Sequence, residues 1–196
     1  MTNAVQKIVQ KENPVLRQVA KEVPLKDIKS LKIKKIIRDM KSMLQTQPDG
    51  VAIAAPQIAV SLRIFVVSGK IFDDNFKRKG DEMVEKTVEK NSPDLVFINP
   101  IITKLSKSKK WMHEGCLSVR PLWGEVNRST HATITAYDEN GTKITRGAGG
   151  LLAHIFQHET DHLDGTLFID KARNIAPGEV PPPVVPKKKK AKQSNV

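Results

Sequence analysis

Residues 151 to 163 read LLAHIFQHETDHL, between the glycine-rich GAGG of 147 to 150 and Gly165. Leu151, Leu152, Ile155, Phe156 and Leu163 spread apolar side chains around most of a helix, so this segment is expected to run through the interior. Polar side chains carried into an interior need partners. The helix carries His158, Glu159, Thr160, Asp161 and His162, the pattern H-E-x-x-H. Residues four apart share one helical face, so both imidazoles can be turned toward a single ion. Glu159, next to the first histidine, is placed to take a proton from a water held there, as the general base of a hydrolysis. An isolated H-x-x-x-H is more simply a pair of solvated histidines; the apolar surroundings favour the ion.

Two ring nitrogens fill half of a tetrahedral site, and the third ligand separates the candidate chemistries. A metzincin protease continues with a glycine and a further histidine. Gly165 stands at the first of these positions, but Phe168 occupies the second and cannot bind zinc. A thermolysin-type site needs a downstream glutamate; beyond His162 that is Glu179, in a proline-rich tail. Upstream, in HEGCLSV (113 to 119), lies Cys116, the single cysteine of the chain. Its thiolate would complete a His2Cys set with the fourth position open, as catalytic sites require. Alternatively, Cys116 is a small buried hydrophobe.

One cysteine allows no internal disulfide, which fits a reducing compartment. The N-terminus has no apolar run of signal-peptide length, and no stretch approaches the ~18 apolar residues of a membrane span. A cytoplasmic, monomeric protein with no membrane partner is expected. The 196 residues carry a formal charge of +12. Residues 177 to 196 hold five lysines against Glu179, a net +4, which leaves the body at about +8. That balance suits an anionic partner, whether nucleic acid, a ribosome or a membrane surface.

The spacing of Ile33, Ile36, Ile37, Met40, Met43 and Leu44 predicts an amphipathic helix near the N-terminus, ended by TQPDG. Strands are expected at VAIAA (51 to 55), LRIFVVS (62 to 68), DLVFINPII (94 to 102) and HATITAYD (131 to 138), and GAGG is read as flexible. Strands interrupted by isolated helices, without a βαβ rhythm, imply an α+β fold: antiparallel or mixed sheets around the central metal-binding helix. Residues 1 to 175 form one catalytic domain, with a charged insertion at about 70 to 92. Residues 176 to 196 read as a disordered Pro/Lys-rich tail.

Three ordered blocks, GVAIAAPQ (50 to 57), EGCLS (114 to 118) and QHETDH (157 to 162), resemble the peptide deformylases. NPVLRQVAKEV near the start, INP before the second block and HLDGTLFID after the third extend the similarity over roughly residues 7 to 171. That resemblance implies removal of the formyl group from the N-terminal methionine of nascent polypeptides. It implies Cys116, His158 and His162 as ligands of one divalent metal, Fe(II) in character, with zinc, nickel or cobalt as substitutes. Glu159 would be the acid/base; the Gln57 side chain and the Leu117 N–H would bind the oxyanion. The peptide would pair as an added strand along Gly50, Val51, Ala52 and Ile53 and at Gly115, its methionine entering a pocket of Val51, Leu151 and Ile155.

Ala52 stands where the first block usually has glycine, and Arg120 where proline commonly follows the second. His154, one helical turn before His158, could face the same cleft, in a surface or supporting role rather than as a fourth ligand. The competing functions are a zinc endopeptidase and a non-catalytic peptide- or ribosome-binding relative.

Overall fold

The computed structural model describes residues 7 to 72, 92 to 178 and 180. Most of the charged insertion, residues 73 to 91, and the lysine run of the tail lie outside them. Helix α1 spans Leu31–Gln45 and helix α2 spans Gly150–Leu163. Among the described residues there are eight strands: β1 (Ala52–Ala54), β2 (Ile64–Val67), β3 (Leu95–Leu105), β4 (Lys109–Gly115), β5 (Leu122–Ser129), β6 (His131–Tyr137), β7 (Lys143–Gly149) and β8 (Arg173–Pro177).

Five strands form one antiparallel sheet in the order β1-β2-β3-β6-β7, and three form a second in the order β4-β5-β8. The expected α+β class is therefore observed. Both faces of the larger sheet are covered, which is why β2 is apolar at every position. Ile64 and Val66 point to one side, where Ile33, Ile36, Ile37, Met40 and Leu44 of α1 pack on them. Phe65 and Val67 point to the other, against Ala153, Ile155, Phe156 and Leu163 of α2. There the Phe65 and Phe97 rings stack at 4.7 Å, and Phe156 meets Phe97 edge-on at 5.2 Å. Along β6, Ala132, Ile134 and Ala136 continue the face toward α2.

Local chemistry sets the ends of the two helices. The Ser30 hydroxyl accepts from the Ile33 N–H at 3.3 Å and caps α1. Helix α2 stops before Gly165, whose φ of +73° is left-handed; a Cβ there would also come within 2.9 Å of the Arg17 backbone. The end of α2 is tied to the body by the Ala20 N–H, which donates to the Leu163 carbonyl at 2.8 Å. Arg63 joins the same corner, donating to Asp164 at 2.7 Å. In the INP block, Asn99 adopts φ +50° where β3 slips register against β6. Its side chain accepts from the Val23 N–H at 2.8 Å and donates to the Val23 carbonyl at 2.7 Å.

Two expectations are corrected. GAGG is not a loose hinge: Gly147 to Gly149 finish β7, paired with Thr133, Ala132 and His131, and Gly150 opens α2. At the other end, residues 176 and 177 complete β8, paired with Trp123 and Leu122, so order extends slightly into the segment read as tail. A sheet neighbour supplied the ordering that composition alone did not suggest. Because Phe156 is fully buried and joins helix to sheet, Phe156→Ala should cost about 3–5 kcal/mol in urea unfolding. A loss below about 1 kcal/mol would show that α2 is not the support of this core.

Candidate metal centre

The site forms where three segments meet: the 3-10 turn after β1, the loop after β4 and the middle of α2. Cys116 directly follows β4, and its Sγ lies 3.1 Å from His162 Nε2. Ligand atoms of Cys116, His158 and His162 all fall within 4.8 Å of one another. Tetrahedral coordination at ordinary metal–sulfur and metal–nitrogen lengths separates such donors by about 3.5 Å, so the three converge closely enough to grip one ion. A thiolate with two imidazoles is a donor set for a borderline divalent metal, and three ligands leave the fourth position open. The residues present fit the group.

Beneath the ligands lies a carboxylate that the sequence reading did not assign. Glu114, buried in β4, accepts from Arg128 Nε at 2.6 Å and from Arg128 Nη2 at 3.1 Å. Its Oε2 lies 2.8 Å from His158 Nδ1 and its Oε1 lies 2.6 Å from His154 Nε2. Arg128 turns its remaining arm to Asp161 at 2.7 Å. Burial by itself would raise the Glu114 pKa, but hydrogen bonds from His154, His158 and Arg128 hold it well below the usual carboxylate range. Arg128 is likewise kept charged, with the effect of Glu114 and Asp161 exceeding the cost of burial.

An ionised carboxylate only accepts, so each histidine nitrogen facing it carries a proton. His158 is thereby fixed as the Nδ1–H tautomer, and its Nε2 lone pair is left for a metal. Burial pushes the His162 pKa well down, and the positive charge of His158 adds to it, which keeps the His162 ring neutral as a ligand must be. For His158, burial is outweighed by its bonds to Cys116 and Glu114, and the pKa rises; an ion binding at Nε2 would therefore displace the proton from that nitrogen while Nδ1–H stays on Glu114.

Glu159 is buried, and its Oε2 has no hydrogen-bond partner. Burial first, with the Glu114 charge in support, pushes its pKa up to about 7 against the opposing effect of His158. A carboxyl poised near neutrality can both take and return a proton. Gln57 comes from the turn after β1; its Oε1 accepts from the Ala54 N–H at 2.8 Å, which aims the amide nitrogen at Cys116 Sγ (3.4 Å) and Ser118 Oγ (3.2 Å). Leu117 is half-buried, and its carbonyl accepts from Gln10 at 3.2 Å. Phe168, where a metzincin would place its third histidine, is buried with its ring stacked over His158 at 6.4 Å.

The other sequence-predicted residues lie in or just before β1, at the end of β4 and in the first half of α2. Gly50, Ala52, Ile53 and Ile155 are buried, while Val51, Gly115 and Leu151 are half-buried. Val51, Ala52, Leu151 and Ile155 pack in one apolar cluster. A Cβ added at Gly115 would meet Val180 Cγ2 at 2.5 Å, so a described residue of the tail lies against this glycine.

A model of the polypeptide deformylase family matches residues 5 to 177. The chain belongs to the peptide deformylase family. It is 40% identical over 165 residues to the Arabidopsis thaliana peptide deformylase 1A, chloroplastic/mitochondrial, an alignment covering 84% of this chain and 60% of that protein. The chain thus spans about 60% of the length of that plant relative. To the Leptospira biflexa peptide deformylase it is 37% identical, covering 87% of this chain and 89% of that protein. A crystal structure of a peptide deformylase from Synechococcus elongatus in complex with actinonin superposes with a TM-score of 0.73 at 30% identity, covering 89% of this chain and 84% of that one.

The sequence reading missed Glu114, Arg128, Ser118 and Asp161. Glu114 and Ser118 lay inside the EGCLS block, flanking the cysteine, while Arg128 had no local signal. Breaking the buried pair tests its weight: Glu114→Ala leaves Arg128 with Asp161 as its remaining counter-charge and takes the acceptor from two buried histidines, and should destabilise the fold by about 3–5 kcal/mol in denaturant unfolding. A change within about 0.5 kcal/mol would contradict a tight buried network.

Proposed function

We propose that the chain is a metal-dependent hydrolase that removes the N-formyl group from the N-terminal methionine of newly synthesised polypeptides. The observation that carries this reading is the convergence of Cys116, His158 and His162, with Glu159 beside them in sequence and the Gln57 amide against Cys116. When bound by these three residues, a divalent ion, Fe(II) by family resemblance with zinc, nickel or cobalt able to substitute, supplies Lewis-acid polarisation and an acidified water. Glu159 would take a proton from a water whose oxygen adds to the formyl carbon, and would deliver that proton to the amine nitrogen as the C–N bond breaks, so that formate and a free N-terminus are released. Gln57 Nε2 and the Leu117 N–H donate to the carbonyl oxygen as it gains charge.

The topology supports an extended peptide as substrate. Strand β1 ends the larger sheet and β4 ends the smaller one, and both lead directly into the site. A peptide laid along Gly50 to Ile53 and past Gly115 would use the unpaired edge of each. The Val51, Leu151 and Ile155 cluster offers the methionine side chain an apolar wall. Ala52 narrows that approach by one methyl group relative to glycine.

Among the described residues no helix is long and apolar enough to cross a membrane. Action in the cytoplasm as a monomer, with the basic body and tail drawn to ribosomal RNA, suits a substrate that emerges from ribosomes. Such an attraction would weaken steeply with salt.

Glu159→Ala should retain its metal in elemental analysis while formate release from formyl-Met peptides falls about 10²-fold or more. Gln57→Ala should lower kcat about 10²–10³-fold. Cys116→Ala should lose the metal itself. Internal peptide fragments in place of formate would favour an endopeptidase. Neither product from fully metallated protein would leave a binding module.

A further inference from the structure

Helix α2 carries three histidines at i, i+4 and i+8, namely His154, His158 and His162, so all three stack along one face. Two belong to the metal set; the third is the residue that the activity does not use. We infer that His154 is a positioning residue of the metal centre, acting on His158 through the Glu114 carboxylate. The inference rests on the metal-centre reading but not on the identity of the substrate.

The geometry is a two-sided clamp. Glu114 Oε1 is held by His154 Nε2 and Arg128 Nε, both at 2.6 Å. Its Oε2 is held by His158 Nδ1 at 2.8 Å and more loosely by Arg128 Nη2 at 3.1 Å. All the donors are charged or carry a fixed N–H, and the carboxylate is 2% exposed. Remove the His154 donor and Oε1 keeps Arg128 Nε alone, so the carboxylate can swing about its own axis toward the guanidinium. The oxygen that orients His158 swings with it. A ligand histidine whose Nδ1–H loses its acceptor geometry is less basic and less firmly aimed, which weakens its hold on the metal. His154 is buried, so the alternative is a histidine that merely fills space in the core.

The test uses the full chain loaded with Co(II), following release of the ion to a chromophoric chelator and the visible absorption of the bound cobalt. His154→Leu keeps the volume without the donor. His154→Gln places an amide N–H where Nε2 stands, and His154→Asn is too short to reach. Leu and Asn variants should release Co(II) about 10-fold or more faster than the parent and shift its absorption, whereas the Gln variant should stay close to the parent. Parental release rates in the Leu and Asn variants would overturn the inference, as would equal losses in all three, which mark a packing role. If the Leu variant fails to fold, the Asn and Gln pair decides by the same criteria. A parent chain that binds no Co(II) would instead overturn the metal centre, and this inference with it.

Discussion

The histidine side of the metal centre leans on one buried ion pair, Glu114 with Arg128. A carboxylate and a guanidinium taken out of water are costly unless each is fully hydrogen-bonded. Here the carboxylate takes up Arg128, His154 and His158, and the guanidinium reaches on to Asp161. The pair joins the consecutive strands β4 and β5 and links them to α2 further along the chain. It therefore does two things at once: it docks the helix against the smaller sheet, and it sets the proton on His158 so that the opposite nitrogen faces Cys116.

The two sheets divide the remaining work. The larger one, sandwiched between α1 and α2, is an apolar platform that fixes the height and rotation of the helix. The smaller one delivers Cys116 at the end of β4 and Arg128 near the end of β5. Strands β1 and β4 are both terminal strands, so each keeps one backbone edge without a strand neighbour among the described residues. Of the positions noted as departures from the family pattern, Ala52 opens β1, Arg120 donates a 2.6 Å hydrogen bond to Asp49, and His154 lies buried against Glu114.

Parts of this were legible in the sequence for clear physical reasons. The amphipathic spacing of α1 and the clean alternation of HATITAY report burial on one face, and the H-E-x-x-H pattern encodes its geometry in its own spacing. Strands β4 and β7 were not legible. KKWMHEG is exposed and charged over its first half, and KITRGAG contains two glycines and is largely exposed; both are strands because a neighbour pairs with them, which local propensity does not record. The same limit applies to the site. Cys116 stood out as the only cysteine and Glu159 as part of a motif, but Arg128 is a basic residue in an ordinary strand whose importance comes from what the fold brings to it. His154 was noticed by its helical spacing, while its partner Glu114 could not be named before the strands were in place.

The central claim is that a sulfur from the loop after β4 and two ring nitrogens from α2 share one ion. X-ray absorption at the metal edge of the loaded, anaerobically prepared protein tests it most directly. The account predicts one sulfur at about 2.3 Å and two nitrogens at about 2.0 Å, with a lighter atom in the remaining position. A shell of nitrogen and oxygen alone, with no sulfur scatterer, would contradict it.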